Sequence, residues 1–130
     1  MKTLKVKDYM STDVVTIGVD ATIHDAIEKM LENNIHGLLV LDDSGKPLGV
    51  ITTDDVLAVV EKGESGQDAI VREFMSIGIM AVDPDYDLHK TLEIMRRNKM
   101  HRLPVMKDRK LLGIITSNDI LRVYEVKYKK

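Results

Sequence analysis

Two short stretches of this 130-residue sequence place a threonine and an aspartate three positions apart, where an apolar run ends. The first holds Thr52 and Asp55, and the second holds Thr116 and Asp119. A carboxylate in this position can accept hydrogen bonds from ribose hydroxyls, while the free amides of a helix N-terminus suit a phosphate. The same spacing is also typical of a capping box, which only stabilises a helix start. The motif by itself leaves both interpretations open.

Histidines form a second group of candidates. His24 and His89 lie beside apolar stripes with helical spacing, which favours surface or capping roles. His36 and His101 each precede a short apolar run, and we consider them the better candidates for binding. No two histidines have the close spacing that is typical of a zinc or di-metal site, so no metal ligand is predicted.

The sequence shows no nucleophile in an arrangement typical of covalent catalysis. The sequence contains no cysteine, and no serine lies in a nucleophile-elbow motif. Asp54 and Asp55 are neighbours at a predicted helix start, and they do not form an opposed pair of carboxylates. We therefore expect a protein that is not an enzyme.

Charge and hydropathy exclude further classes of function. The formal net charge of -2 gives no basic face for nucleic acid. Lys2, Lys5 and Lys7 interrupt every apolar run near the N-terminus, which argues against a signal peptide. No stretch approaches the roughly 20 apolar residues that a membrane span needs. We expect a cytoplasmic protein that binds neither nucleic acid nor a membrane.

The sequence consists of two copies of one unit. An offset of 65 aligns the Met-Ser pair at Met10 with the pair at Met75, and His36 with His101. After the loss of one residue, an offset of 64 aligns the two threonine–aspartate motifs. The copies predict one domain at 1–62, a polar linker at 63–70 and a second domain at 71–130.

Each copy has the pattern strand-helix-strand-strand-helix, which predicts a mixed α/β (α+β) fold. The first helix of each copy is amphipathic, with apolar positions at Ile23, Ala26, Ile27, Met30 and Leu31 and at Leu88, Thr91, Leu92 and Met95. The predicted strands are 14–17, 38–41 and 48–52 in the first copy, and 79–82, 103–106 and 111–116 in the second. A unit of this size buries little apolar surface alone, so we expect the copies to share one core.

Three motifs together resemble the cystathionine-β-synthase (CBS) domain. Each copy has Met-Ser near its start and Gly-apolar-Ile-Thr-x-x-Asp near its end, and the second copy has His-Arg-Leu-Pro-Val at 101–105. Residues 98–105 look particularly like the regulatory γ subunit of AMP-activated protein kinase. Two tandem copies form what is called a Bateman module, here a stand-alone CBS domain protein. The resemblance implies β-α-β-β-α repeats that pack as a pseudo-two-fold symmetric pair.

The resemblance also implies a regulatory ligand, which is not a required cofactor. In this family, clefts between the copies bind adenosine-type nucleotides such as AMP, ADP, ATP or S-adenosylmethionine. Aspartate would hold the ribose diol, threonine the ribose or phosphate, and histidine and arginine the phosphate, while apolar side chains enclose adenine. Carried over, one cleft uses Thr52, Asp55, Met80, Met100, His101 and Arg102, and the other uses Thr116, Asp119, Val15, Ile35, His36 and Gly37.

The two copies differ at one charged position. Arg102 in the second copy is matched by Gly37 in the first, so one cleft is expected to have one cation fewer and to bind phosphate more weakly. Isolated modules of this family commonly pair through their second helices, so the resemblance implies a homodimer and a possible regulated protein partner. The alternative is a dimerisation or protein-interaction subunit with no bound nucleotide.

Overall fold

The computed structural model describes residues 3–128, which form two compact units. One unit is Val15–Ile79, called here the first-copy unit. The other combines Met1–Val14 with Met80–Lys130 and is called the second-copy unit. Residues 1–2 and 129–130, which the predicted domain limits include, lie outside the described residues. Each unit therefore contains most of one copy and the leading segment of the other.

The first-copy unit contains a four-stranded sheet in the order β1-β2-β3-β4. Strands β1 and β2 are parallel, and the other neighbours are antiparallel. The elements in chain order are β1 (Thr16–Gly18), α1 (Ile23–Asn33), β2 (Gly37–Leu41), β3 (Pro47–Thr52), α2 (Thr53–Glu61), α3 (Val71–Phe74) and β4 (Ser76–Ile77).

The second-copy unit repeats this plan with fewer strand residues. It contains a 3-10 helix at Val6–Asp8, then α4 (Leu88–Arg97), β5 (Arg102–Lys107), β6 (Lys110–Thr116) and α5 (Ser117–Tyr128). Strands β5 and β6 form an antiparallel hairpin. The mixed α/β prediction is confirmed in both units.

The strand predicted at 79–82 is wrong, because its pairing is limited to one isolated parallel bridge between Val82 and Val105. Val82 is buried, whereas Met80 and Ala81 are exposed and have no sheet face to cover. In the first copy the strand predicted at 14–17 forms two residues later, as β1.

Helices α1 and α4 bury side chains at repeat-equivalent positions. Ile23, Ala26 and Met30 of α1 are buried, as are Leu88, Thr91 and Met95 of α4. Leu31, which the sequence placed on the apolar stripe, is 77% exposed. A helix turns about 100° per residue, so the position after Met30 has already left the buried face. Within residues 3–128, no helix is long and apolar enough to cross a membrane.

Two hydrophobic clusters replace the single shared core that the sequence predicted. The cluster of the first-copy unit includes Val71, with Met75 packed against it, from the leading segment of the second copy. The cluster of the second-copy unit includes Val6, with Met10 packed against it, from the leading segment of the first. Each small core is thus completed by residues from the other copy, which supplies apolar area that one copy lacks.

The leading segment of each copy lies in the unit of the other copy, and we call these two stretches the exchanged segments. Ion pairs at repeat-equivalent positions hold them in place. Lys7 pairs with Asp85 at 2.9 Å in the second-copy unit, and Arg72 pairs with Asp20 in the first-copy unit. The hydrogen bond from Lys7 and its positive charge lower the pKa of Asp85, and the same contact raises the pKa of Lys7. All four side chains are about half exposed or more, so these pairs define the position of each segment more than they stabilise it.

Candidate functional site

Thr52 and Asp55 form a capping box where β3 runs directly into α2. Oδ2 of Asp55 accepts hydrogen bonds from the amide of Thr52 at 2.8 Å and from its hydroxyl at 3.0 Å. The amide of Asp55 donates to the Thr52 hydroxyl at 3.3 Å. Oδ1 of Asp55 accepts no hydrogen bond from the backbone of residues 3–128 or from the side chains of residues 3–125. One oxygen fixes the carboxylate, and the other keeps its acceptor capacity.

Thr116 and Asp119 repeat this geometry where β6 meets α5. Oδ2 of Asp119 accepts from the Thr116 amide and hydroxyl, both at 2.9 Å. Here, however, Oδ1 accepts from the guanidinium of Arg122 at 3.2 Å. The position equivalent to Arg122 in the first copy is Ala58, so α2 has no such donor. The two aspartates therefore differ at Oδ1, which is free to accept a hydrogen bond from a ligand in Asp55 and already accepts one from Arg122 in Asp119.

A third capping box, at Thr22 and Asp25, begins α1. Oδ2 of Asp25 accepts from the Thr22 amide at 3.1 Å, and the Asp25 amide donates to the Thr22 hydroxyl at 3.1 Å. These hydrogen bonds lower the pKa of Asp25. Sequence reasoning missed this box, although its Thr-x-x-Asp spacing is the same. The capping contacts are thus a general device of this chain and do not by themselves indicate a ligand.

The candidate histidines lie next to the capping boxes of their own units. In the first-copy unit, Gly37 pairs with Thr52, and the amide of Thr53 donates to the His36 carbonyl at 2.8 Å. His36 and the capping box of Asp55 therefore lie at the same end of the sheet.

The second-copy unit has the equivalent arrangement. Arg102 pairs with Thr116, and the amide of Ser117 donates to the His101 carbonyl at 2.9 Å. Nδ1 of His101 lies 3.3 Å from the Ser117 hydroxyl. The imidazole of His101 and the guanidinium of Arg102 are exposed. Among the described side chains and backbone, the guanidinium of Arg102 has no hydrogen-bonding or ion-pair partner, so its charge is available to an anion.

The start of α2 does not offer the row of free amides that the sequence suggested for phosphate. The amide of Thr53 is bonded to His36, and that of Asp55 is bonded to Thr52. Asp54 and Asp55 also place two carboxylates in the first turn, which repel an anion. This helix start suits a neutral hydrogen-bond donor such as a ribose hydroxyl better than it suits a phosphate.

The apolar candidates lie at the edges of the two cores. Val15 and Ile35 are half-buried and pack against the core of the first-copy unit. Met100 packs in the same way in the second-copy unit, whereas Met80 is 47% exposed. Such partly covered side chains can still contact the flat face of a base.

The described residues contain no cluster of three or more metal-ligating side chains. Nε2 of His24 lies 2.9 Å from Glu28, and that of His89 lies 3.7 Å from Glu93, both one helical turn away on an exposed face. These pairs are consistent with the surface roles that the sequence favoured for the two histidines.

The structure thus divides each predicted residue set between the two units. The first-copy unit holds Val15, Ile35, His36, Gly37, Thr52 and Asp55, and the second-copy unit holds Met80, Met100, His101, Arg102, Thr116 and Asp119. The sets predicted to share a cleft each combine residues of both units, and this combination stays a prediction.

Family comparison identifies the unit that is repeated. The model of the CBS domain matches residues 6–62 and 71–126. The chain belongs to the CBS domain family. Both copies are CBS domains, and the prediction made from the Gly-apolar-Ile-Thr-x-x-Asp and Met-Ser motifs is confirmed.

Relatives of the CBS copies occur in proteins of several kinds. An uncharacterised protein of Methanopyrus kandleri is 31% identical over 95% of this chain, and an inosine-5'-monophosphate dehydrogenase of Methanocaldococcus jannaschii is 34% identical over 91%. The chain spans 64% of the first protein and 23% of the second. Among solved structures, the CBS domain pair of protein MJ0100 in complex with 5'-methylthioadenosine and S-adenosyl-L-methionine has a TM-score of 0.80 at 26% identity, covering 97% of this chain and 99% of that one.

Proposed function

We propose that this CBS domain protein is a regulatory module, without catalytic activity, that binds an adenosine-type ligand such as AMP, ADP, ATP or S-adenosylmethionine. The observation that carries the proposal is the state of Asp55. Its Oδ2 is fixed by the capping box, while Oδ1 has no partner among the backbone and side-chain groups that the structure describes. A carboxylate that is fixed in this way is ready to accept hydrogen bonds from the two vicinal hydroxyls of a ribose.

Similarity to the MJ0100 domain pair supports the same ligand class. The two ligands of that pair, 5'-methylthioadenosine and S-adenosyl-L-methionine, share an adenosine with a free ribose diol. Neither contains a phosphate, so the diol and the base are the features common to all candidates. In this chain, the guanidinium of Arg102 adds a cation that favours a 5'-phosphate, and His101 precedes it directly.

The proposal predicts stabilisation of the folded protein by ligand. At a ligand concentration about 100 times its Kd, the free energy of unfolding rises by about 2.7 kcal/mol, which raises the melting temperature by on the order of 10 °C. A thermal-shift series with AMP, ADP, ATP, S-adenosylmethionine and NAD measures this directly.

The control compounds test the ribose contact. 2'-Deoxyadenosine 5'-monophosphate lacks one hydroxyl of the diol, and we expect it to give a clearly smaller shift than AMP. If every adenosine compound leaves the melting temperature unchanged at millimolar concentration, the ligand-binding function is wrong.

A second function, as a dimerisation or interaction subunit, is favoured by the exposed apolar side chains of the second helices. Leu57 and Val60 of α2 are 56% and 58% exposed, and Leu121 of α5 is 64% exposed. Each lies on the outer side of a helix whose inner side is buried through Val56 or Ile120. Apolar side chains presented at equivalent positions of both copies fit a contact between two chains.

This second function predicts that Leu57→Asp combined with Leu121→Asp converts a dimer to a monomer, because a charge in an apolar interface is left unpaired. Sedimentation equilibrium measures the change. Leu31→Asp is the matched control, since Leu31 is equally apolar and 77% exposed but lies on a first helix. A wild-type protein that is monomeric at micromolar concentration, or a control that dissociates equally, contradicts this assignment.

A further inference from the structure

Lys29 lies at the end of the sheet where the candidate residues of the first copy are found. Its ammonium group donates to the carbonyl of Thr16 at 2.6 Å, and Thr16 directly follows Val15. The side chain is half-buried, next to the buried Met30 of α1. An ammonium has three N–H donors, and the bond to Thr16 uses one of them.

The carbonyl that this ammonium binds lies on the strand beside the one that contains Gly37. Strands β1 and β2 are parallel, with Thr16 paired to Leu39, so both strands begin at the same end. From a strand spacing of about 4.8 Å and a rise of about 3.3 Å per residue, Thr16 lies about 8 Å from Gly37. The amide of Ile35 bonds to the Met30 carbonyl at 3.1 Å, so the chain passes directly from α1 to this strand start.

The two copies differ in which of two equivalent positions carries a cationic side chain. Lys29 is matched by Ile94, which packs against the core of the second-copy unit, and Gly37 is matched by Arg102. Each copy therefore has a long cationic side chain at one of these two positions, on α1 in the first copy and on β5 in the second.

The charge of Lys29 is not neutralised by an ion pair with any described carboxylate. Asp25 lies one turn earlier on α1, and its pKa is lowered mainly by the hydrogen bonds from Thr22 and to a lesser extent by the charge of Lys29. The carboxylate of Asp25 is held in its own capping box. Lys29 can therefore offer its charge and its remaining donors to an external anion.

We propose that Lys29 binds the 5'-phosphate of the ligand at the Val15–Gly37 strand ends, in the role that Arg102 has in the second copy. This inference rests on the proposed function. It also revises the sequence-based expectation that the site of the first copy has one cation fewer. The two phosphate positions then differ in the type of cation: a lysine offers a point charge, whereas an arginine can bind in bidentate fashion.

The test compares AMP with adenosine by isothermal titration. Lys29→Met removes the charge at similar length, and Lys29→Gln keeps a donor for the Thr16 carbonyl. We expect both variants to lose about tenfold in AMP affinity at one site, because a charge-assisted hydrogen bond is lost, with adenosine affinity unchanged. Lys29→Arg, which retains the charge, should stay within about threefold of wild type.

Lys46→Met is the matched control, since Lys46 lies in the β2–β3 turn, at the opposite end of β2, and its loss lowers the net charge equally. If Lys29→Gln loses affinity for AMP and adenosine alike, Lys29 only supports the strand and the inference is wrong. If AMP binding is unchanged in the Lys29 variants but present in wild type, the inference fails and the proposed function stands. If wild type binds neither compound, the proposed function itself fails.

Discussion

Alanine at Gly49 or Gly113 is expected to lower the free energy of unfolding by about 1–3 kcal/mol, because an added methyl group would overlap the backbone of an exchanged segment. At Gly49 a Cβ atom would overlap the carbonyl oxygen of Ser76, and at Gly113 it would lie 2.5 Å from that of Ser11. Both contacts are with backbone, which cannot rotate away as a side chain can.

The two glycines occupy repeat-equivalent positions, and an exchanged segment pairs with the strand at each of them. Gly49 pairs with Ile77 across β3 and β4, and Ile114, next to Gly113, exchanges backbone hydrogen bonds of 2.9 and 2.8 Å with Ser11. A glycine at this point of the Gly-apolar-Ile-Thr motif therefore serves the fold and need not contact a ligand.

Urea unfolding with hydrogen exchange at the amides near Ser76 and Ser11 measures both the stability and the release of each segment. Gly18→Ala is the matched control, since Gly18 lies at the end of β1 with nothing within 4 Å of its added Cβ. We expect that control to be neutral or slightly stabilising. Equal losses in all three variants would show that close approach is not the cause.

Asp55→Ala is expected to weaken the binding of an adenosine-type ligand by about 10- to 150-fold at one site, the cost of a lost charge-assisted hydrogen bond. Asp119→Ala should weaken the other site. Asp55 is the sharper test, because its Oδ1 has no partner among the described groups, whereas the guanidinium of Arg122 donates to Oδ1 of Asp119. Calorimetric titration gives the affinity of each site.

The matched control for this prediction is Asp25→Ala. Asp25 has the same capping contacts, with Thr22, at the start of α1. Each of the three variants loses a cap and should lose about 0.5–2 kcal/mol of stability. Only the variants of Asp55 and Asp119 should also lose affinity. If all three bind ligand as wild type does, these aspartates are helix caps and nothing more.

Much of the local structure could be predicted because it depends on neighbouring residues. The buried positions Ile23, Ala26 and Met30 follow a helical period, and Thr52 with Asp55 forms a capping box within four residues. The hairpins follow from apolar runs on either side of a polar turn. The repeat then allowed each prediction to be checked against a second copy of the same pattern.

Local patterns thus identified the two CBS copies, their helices and hairpins, and the residue types that could bind a nucleotide. No local pattern predicts that Val6 and Val71 enter the core of the other copy's unit, which makes Gly49 and Gly113 points of close approach. The contact from Lys29 to the carbonyl of Thr16 is likewise set by the fold.

These features differ in predictability because they depend on residues at different separations along the chain. Capping and periodicity act over three or four residues, so the local sequence specifies them. The pairing of Ser76 with Val50, or of Lys29 with the carbonyl of Thr16, depends on which segments meet after folding. Many other segments of the chain have residue types that could form such contacts, and the packing of the whole unit selects one of them.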